Sequence, residues 1–228
     1  MVKLIVRQLQ RRLGRTRYKG YTLATQKYKP MLRLLDELEQ RGVNVSSLDA
    51  LEIFGRDGLD HTTTYGDRVR TLEVWEIDER LHPRLRENLP GASIRIVDSY
   101  AEVARTERRF DFIVVDNAIG IYGDHCDHFG LFPDKIFSIA RDECVLVLNV
   151  IPRIDRVTLK YFPELMERDY LERRKQFYGA DDAMHIPIDR MAGRYRGFAE
   201  QNGFRVAWSF HIKRRGAGVE YLVLGIRK

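Results

Sequence analysis

Cysteine is scarce in this chain, which contains Cys126 and Cys144 and no other cysteine. Two cysteines are too few for the disulfide framework of a small secreted domain. No uncharged apolar run is long enough to cross a membrane, and no apolar core or cleavage site of a secretory signal follows the basic N-terminus. Internal repeats and low-complexity tracts are also lacking. We therefore expect a globular cytoplasmic protein.

Acidic residues are missing from one part of the chain. Residues 1–35 contain ten basic residues and no acid, whereas the rest contains 29 basic and 33 acidic residues. The net charge of +6 is thus a property of the N-terminal segment. The 228 residues, 44% of them apolar, suffice for one well-buried domain.

The N-terminal segment reads as helical. Apolar residues at helical spacing between arginines predict a basic amphipathic helix over residues 2–13, and a second helix is predicted over Pro30–Arg41, ending at Gly42. We predict that residues 1–47 form a basic helical extension. It can lie on an anionic membrane surface, bind a phosphate-bearing or nucleic-acid substrate, or simply pack on the core. Packing is the simplest interpretation, and nucleic acid is not favoured because no RNA-binding signature is present.

Strands and helices alternate from Ala50 onward. Continuous apolar runs such as FIVV indicate strands that are buried on both faces. The alternation predicts a parallel, doubly wound α/β sheet, and the last two strands predict an antiparallel hairpin at its end. The predicted strands are Leu51–Phe54, Leu72–Trp75, Ile94–Val97, Phe112–Val115, Val145–Val150, Phe204–His211 and Tyr221–Ile226.

A long segment, Ile151–Arg196, separates the fifth strand from the hairpin. We predict helices over Leu159–Arg168 and Asp169–Phe177 and a loop over Gly179–Pro187. The segment is too long for a simple connection, so we predict an insertion that covers the substrate at the carboxyl edge of the sheet.

A nucleotide site is predicted at that edge. Gly55 and Gly58 follow the first strand, and Glu76 ends the second about twenty residues later. Glycines allow a close approach of the backbone to a ligand, and a carboxylate at the tip of the second strand can accept both hydroxyls of a ribose. Asp98 and Asp116 end the next two strands.

From Leu48 to Lys228 this pattern resembles the class I S-adenosylmethionine-dependent methyltransferases. The resemblance implies a seven-stranded Rossmann-like sheet and S-adenosylmethionine as cofactor. The loop departs from the family pattern because Phe54 and Arg56 stand where glycine is usual; Arg56 can instead pair with the carboxylate of the cofactor. The cofactor-binding residues that the resemblance implies are Glu52, Phe54, Gly55, Arg56, Gly58, Glu76, Asp98, Ser99 and Asp116.

Each of these polar residues also has a simpler interpretation. Glu76 and Asp78 can cap the helix predicted over Glu79–Leu89, Asp98 can cap the next helix, and Asp116 can form an Asx turn. Hydroxyls in His61–Thr64 can meet the carboxylate of the cofactor or serve as ordinary helix caps, with Asp60 as the N-cap.

Asp116, His125 and His128 are the candidate catalytic residues. Residues 124–128 read DHCDH and carry three kinds of metal ligand. Such tight spacing rarely lets neighbouring side chains converge on one ion, so we assign no metal. A histidine is the better candidate for a general base because imidazole titrates near neutral pH. The alternative is a solvated polar loop.

These features predict a methyltransferase that acts on an oxygen or nitrogen acceptor of an anionic small molecule or glycan. The arginines of the insertion and of the N-terminal helices indicate negative charge on the substrate. One alternative is an aminopropyltransferase, because Glu76-Ile77-Asp78 and the acid ending strand 4 look similar to spermidine synthase. The other is a non-catalytic nucleotide-binding or partner-binding module of the same fold. The oligomeric state stays open.

Overall fold

A seven-stranded sheet forms the centre of the protein. The structure is a computed structural model that describes residues 28–116, 128–214 and 218–228. The strands are β1 Asp49–Ile53, β2 Thr71–Glu76, β3 Ser93–Ile96, β4 Phe110–Val115, β5 Ala140–Val150, β6 Arg205–Lys213 and β7 Glu220–Arg227. Their order is β3-β2-β1-β4-β5-β7-β6. Strands β1 to β5 pair in parallel, while β7 runs antiparallel to both β5 and β6. The predicted doubly wound sheet and terminal hairpin are confirmed.

Helices cover both faces of this sheet. Because side chains alternate along a strand, Leu51 and Ile53 of β1 enter one apolar core while Ala50 enters the other. The helices are α1 Lys29–Gln40, α2 His61–Tyr65, α3 His82–Asn88, α4 Ser99–Glu102, α5 Lys135–Ser138, α6 Arg156–Tyr161, α7 Arg168–Tyr178 and α8 Ile188–Gln201. Short 3-10 helices lie at Val45–Ser47, Glu79–Leu81, His128–Leu131 and Pro163–Met166.

Helix α1 is an integral part of the domain. Its apolar stripe, Met31, Leu34, Leu35 and Leu38, is fully buried in the same core as Ala50. The helix that the sequence placed in an extension is therefore packed on the sheet. The amphipathic helix predicted over residues 2–13 lies outside the described residues.

The region between β5 and β6 is more helical than predicted. Helix α6 begins at Arg156 instead of Leu159, and the expected continuation to Arg168 is a separate 3-10 helix. Helix α8 was not predicted and begins inside the proposed insertion. It buries Met191, Tyr195 and Phe198 against the sheet, so the end of Ile151–Arg196 belongs to a packed helix. That the segment covers a substrate stays a prediction. Glycines and arginines inside α8 obscure its apolar stripe in the sequence.

The stretch before β5 also differs. Between β4 and β5 the described residues include the short helix α5, and β5 begins at Ala140 instead of Val145. The first residues of β5 are largely polar, so the apolar pattern of the sequence did not identify them as part of the strand. Within the described ranges, we find no helix with the length and apolar character needed to span a bilayer.

Candidate functional site

A buried carboxylate lies at the carboxyl end of β1. Glu52 is fully buried and accepts hydrogen bonds from His61 Nε2 at 3.2 Å, Thr62 Oγ1 at 3.3 Å and Tyr65 OH at 2.6 Å. Burial raises the pKa of Glu52, although the His61 and Tyr65 donors oppose this shift. The hydroxyls of the first turn of α2 are thus engaged within the protein: Thr62 bonds to Glu52, and Thr64 bonds to the carbonyl oxygen of Asp60.

His61 connects Glu52 to the tip of β4. Its Nε2 lies 3.2 Å from Asp116 Oδ2, while Asp116 Oδ1 accepts a 2.7 Å hydrogen bond from Arg214 Nη1. Burial alone would raise the pKa of Asp116, but His61 and Arg214 outweigh burial and hold this pKa below its usual range. Burial alone would lower the pKa of His61, but Asp116 and Glu52 outweigh it and raise that pKa. We call Glu52, His61, Asp116 and Arg214 the edge network.

Two tyrosines surround the guanidinium of the edge network. Arg214 lies over the rings of Tyr28 and Tyr221, 5.6 Å and 4.9 Å from their centroids, and its Nε donates to Tyr28 OH at 3.4 Å. The backbone N–H of Tyr28 donates to Thr64 Oγ1 at 2.8 Å. The first described residue is therefore held beside the candidate site.

Three buried polar atoms beside this network keep hydrogen-bonding capacity. His61 Nδ1, Asn149 Oδ1 and Tyr221 OH have no partner among the described residues. Asn149 and Tyr221 are register partners on β5 and β7, on the sheet face where Glu52 lies. Because buried polar atoms are nearly always hydrogen-bonded in folded proteins, this face can accept polar groups of a ligand or water.

Glu52, His61 and Asp116 bring ligand-type atoms within 4.8 Å of one another. That spacing alone would suit an ion. However, the positive charges of His61 and Arg214 already balance the two carboxylates, and a divalent ion would leave excess positive charge in a buried place. We assign no metal here.

Glu76 ends β2 with its carboxylate directed into the β1–α2 loop. Its Oε2 accepts the backbone N–H of Arg56 at 2.6 Å, and its Oε1 accepts that of Asp78 at 2.7 Å. Burial raises the pKa of Glu76. Each oxygen retains a second lone pair, so the pair fits two ribose hydroxyls. The capping role belongs to Asp78, whose side chain accepts from Arg80 N at 3.0 Å.

The β1–α2 loop is held in an uncommon backbone conformation. Phe54, Arg56 and Asp60 have φ values of 69°, 51° and 64°, a region that costs about 1–3 kcal/mol for a non-glycine residue. Such strain concentrates at ligand sites. The predicted N-cap at Asp60 is wrong, because its side chain makes no capping hydrogen bond to α2.

The two glycines of this loop pack against protein. A Cβ on Gly55 would lie 2.2 Å from Val74 Cγ1, and one on Gly58 would lie 2.6 Å from Leu89 Cδ1. Their missing side chains let the loop approach β2 and the end of α3. The expected approach of their backbone to a ligand stays a prediction.

The remaining predicted cofactor residues lie along the same edge. The Arg56 side chain is 66% exposed, and its charge contributes to the lowered pKa of Asp116. The ring of Phe54 lies 5.7 Å from that of Tyr100, between centroids. Asp98 Oδ1 accepts from Tyr100 N at 2.9 Å and so caps α4, while Ser99 is buried. Adenine recognition by Asp98 and Ser99 stays a prediction.

The predicted catalytic histidines are not tested by this structure. His125 lies outside the described residues, as do Asn117, Asp124, Cys126 and Asp127. His128 opens a 3-10 helix, and its side chain is outside the description.

Arg214 and the bridging role of His61 were missed in the sequence. Arg214 lies 98 residues from Asp116 in the chain, and no local pattern connects them. The topology did contain a signal. The first strand of the hairpin runs parallel to β5, so the turn that carries Arg214 must lie at the carboxyl edge.

No protein-family model matches the chain, and no curated protein matches it. Solved structures do match. Magnesium protoporphyrin IX methyltransferase from Synechocystis PCC 6803, with bound SAH, aligns with a TM-score of 0.56 and 14% identity over 88% of this chain and 83% of that one. N-methyltransferase NodS from Bradyrhizobium japonicum WM9 aligns with a TM-score of 0.52 and 13% identity over 87% of this chain and 98% of that one.

Proposed function

We propose that this chain, whose fold is that of the class I S-adenosylmethionine-dependent methyltransferases, transfers a methyl group from S-adenosylmethionine to an oxygen or nitrogen acceptor. The observation that carries the proposal is Glu76, a carboxylate at the tip of β2 with both oxygens fixed by backbone N–H groups. In open parallel sheets, ligands bind beyond the carboxyl ends of the central strands. Glu76 lies at that place.

The residues present fit this cofactor. Glu76 would hold the ribose hydroxyls, Asp98 and Ser99 would lie beside the adenine, and the exposed guanidinium of Arg56 would pair with the carboxylate. When bound, S-adenosylmethionine supplies a methyl group on a sulfonium, an electrophile for an oxygen or nitrogen lone pair. The chain contributes by orienting both partners, which supplies much of the rate in such transfers.

Asp116 orients the acceptor in this proposal. Its pKa lies below the usual range because His61 and Arg214 outweigh burial, so it stays ionised and is a weak base. It can accept a hydrogen bond from an acceptor O–H or N–H and fix its direction. Removal of the proton falls to another group, and His125 and His128 stay our candidates.

We propose an anionic small molecule or glycan as the acceptor. Arg153, Arg156 and Lys160 are exposed in the segment that leaves β5, and the chain before Tyr28 adds eight basic residues and no acid. This charge attracts a phosphate or carboxylate at the carboxyl edge.

Aminopropyl transfer is less well supported. A polyamine acceptor needs a surplus of carboxylates around it, whereas Arg153, Arg156 and Lys160 are exposed cations in the segment after β5. The non-catalytic alternative rests on Phe54 and Arg56, which stand where the loop usually has glycine. The binding experiment below tests this alternative.

The test is calorimetric titration with S-adenosylmethionine and S-adenosylhomocysteine. We expect micromolar binding to the wild type and at least a tenfold loss in Glu76→Gln, which keeps the volume but presents an amide to one backbone N–H. Arg56→Ala should also weaken binding. Glu79→Gln is the matched control, because Glu79 is an exposed neighbour of the site.

The absence of binding to the wild type would overturn the proposal and favour the non-catalytic module. If binding occurs, product analysis with candidate acceptors separates methyl transfer from aminopropyl transfer.

A further inference from the structure

We propose that Arg153 and His185 together bind a phosphate group of the methyl acceptor at the carboxyl edge of the sheet. The inference rests on the proposed methyl transfer for the role of the ligand, whereas phosphate binding itself is testable without that activity. It follows from a short two-stranded ribbon beyond β5 that presents the two side chains together.

The ribbon joins the segment after β5 to the loop before α8. Arg153 and His185 form an antiparallel bridge. Backbone hydrogen bonds of 2.8 Å and 2.9 Å flank this bridge on its two sides, and they join the neighbours of the two residues. Such a pair has the closest cross-strand spacing, with Cβ atoms about 4.5–5.5 Å apart. The two side chains therefore leave the ribbon side by side.

The ribbon directs this pair toward solvent. Successive residues of an extended strand point to opposite sides, and the next residues along, Ile154 and Ile186, are buried in the core. Arg153 and His185 are exposed. Like charges directly opposite each other destabilise a strand pair, so a protonated His185 beside Arg153 favours an anion between them.

The acids next to the pair have other partners, and within the described ranges no carboxylate forms an ion pair with either member. Asp155 accepts from Thr158 N at 2.9 Å and from Thr158 Oγ1 at 3.0 Å, and so caps α6. These hydrogen bonds are the main cause of the lowered pKa of Asp155, and the charge of Arg153 contributes less. Asp182 accepts from Met184 N at 2.7 Å. An anionic ligand therefore displaces no protein carboxylate.

A buried guanidinium adds positive charge to the ribbon. Arg174 of α7 donates from Nε to the carbonyl oxygen of Ala183 at 2.8 Å and from Nη2 to that of Ile151, so it bonds to both strands. It also lies over the ring of Tyr178. In the part of the chain that the structure describes, no carboxylate pairs with Arg174. Because buried charges are normally paired, a bound anion would balance charge that the protein leaves uncompensated.

The pair lies within reach of the proposed transfer site. Strands β4 and β5 are in register with Val115 opposite Leu148, so Asp116 follows at the level of Asn149. Arg153 lies further along the same chain segment, at most about 14 Å from Asn149. One small acceptor can therefore contact both Asp116 and the pair.

The charge of the pair favours a terminal phosphate. Arginine is always charged, and histidine takes up a proton near neutral pH. A phosphate monoester carries a charge of about −1.5 to −2 at pH 7, which matches two cations, whereas a carboxylate or the phosphodiester of a nucleic acid carries a single charge. The planar guanidinium also binds phosphate through two parallel hydrogen bonds.

The test is an NMR titration of the isotopically labelled full chain with inorganic phosphate at constant ionic strength, followed at the imidazole of His185. We expect a saturable shift, and R153Q should lower the phosphate affinity about tenfold, the effect of losing a charged hydrogen bond. The contact of Arg153 with Thr158 uses the backbone carbonyl, so this variant should fold. Acetate and dimethyl phosphate, each with one negative charge, should bind more weakly than phosphate.

The matched control is R109Q, which removes an exposed arginine at the amino edge and should retain wild-type phosphate affinity. His211, exposed on β6, is the internal control and should not respond. An equal response at His185 and His211, or wild-type affinity in R153Q, would overturn the site. Equal affinity for acetate or dimethyl phosphate would overturn the choice of a terminal phosphate.

Titration of S-adenosylhomocysteine with and without saturating phosphate separates this inference from the proposed function. We expect the same affinity in both, because cofactor and acceptor must bind together. Competition between the two ligands would overturn the assignment to the acceptor. Phosphate binding without any binding of S-adenosylhomocysteine would overturn methyl transfer, and with it the acceptor role, while the phosphate site itself would stand.

Discussion

At the scale of single residues, the edge network changes the chemistry expected of Asp116. A strand-end carboxylate in an open site is a natural candidate for a base, but this one bonds to His61 through one oxygen and to Arg214 through the other. Two cationic partners stabilise the ionised form over the protonated one. The two partners therefore hold Asp116 in its ionised form.

His61→Gln tests the bridge through its pH dependence. The pKa of His61 is raised because Asp116 and Glu52 outweigh burial, so its proton stabilises the fold below the ordinary histidine pKa, and this contribution is lost as pH rises through the folded value. Near pH 6 we expect the unfolding free energy of the variant to be about 1–3 kcal/mol lower than that of the wild type. At alkaline pH this difference should disappear. Urea unfolding across this range measures it.

The control for this prediction is His211→Gln. His211 is an exposed histidine on β6 that pairs with Glu220 at 2.6 Å and lies outside the edge network. A stability gap for His61→Gln that stays constant with pH would contradict a protonated bridge.

At the scale of elements, the β1–α2 loop shows how a sequence departure is accommodated. Phe54 and Arg56 adopt positive φ without being glycine, and the backbone N–H of Arg56 is fixed by Glu76. The two glycines are needed where the loop meets β2 and α3. The sequence alone locates the loop. It does not show that each glycine faces other protein atoms on the side where a Cβ would stand.

Gly55→Ala should destabilise the protein by about 1–3 kcal/mol, the usual cost of overpacking a tight contact. The new Cβ would lie 2.2 Å from Val74 Cγ1 in the interior of the sheet. Gly91→Ala, where an added Cβ meets no atom within 4 Å, should change stability by less than about 0.5 kcal/mol. Thermal unfolding of both variants measures these effects. Equal unfolding midpoints would contradict a tight contact at Gly55.

Elements with strong apolar runs were predictable, whereas those with a mixed pattern were not. Strands β1, β2 and β4 were found within two residues of their bounds because buried parallel strands are continuously apolar. Helix α8 was missed because Gly193, Gly197 and three arginines interrupt its apolar stripe. Packing of Met191, Tyr195 and Phe198 on the sheet stabilises it despite its weak intrinsic propensity.

At the scale of the whole molecule, the two edges of the sheet have different electrostatics. The carboxyl edge carries the edge network, and the amino edge carries a separate cluster in which Asp49 bonds to Arg70 at 2.6 Å and to Arg141 at 2.8 Å. Arg141 also bonds to Asp111 at 3.0 Å. This cluster joins the starts of β1, β2, β4 and β5, and we expect it to stabilise the assembled sheet.

Asp49→Asn should destabilise the protein by about 1–3 kcal/mol at pH 7. The hydrogen bond from Arg70 holds the pKa of Asp49 well below its usual range, so the carboxylate stabilises the fold above about pH 4, and this contribution is lost as pH falls through the folded pKa. The difference in unfolding free energy between wild type and variant should therefore be smaller at pH 3 than at pH 7.

Asp142→Asn is the control for the amino edge. The Asp142 side chain is 76% exposed, and its ion pair with Lys228 Nζ has a length of 3.5 Å. Denaturant unfolding at both pH values measures the two variants. A loss for Asp49→Asn that persists unchanged in acid would contradict an ionised Asp49.

The sequence by itself determined the fold class, the order of strands and helices, the terminal hairpin and the acids at the strand tips, because burial and periodicity are local properties that the chain displays directly. Only the tertiary structure decided that α1 belongs to the core, that Gly55 and Gly58 serve packing, and that Arg214 and His61 hold Asp116. These contacts join residues far apart in the chain, and their energy depends on burial and distance that no local pattern encodes.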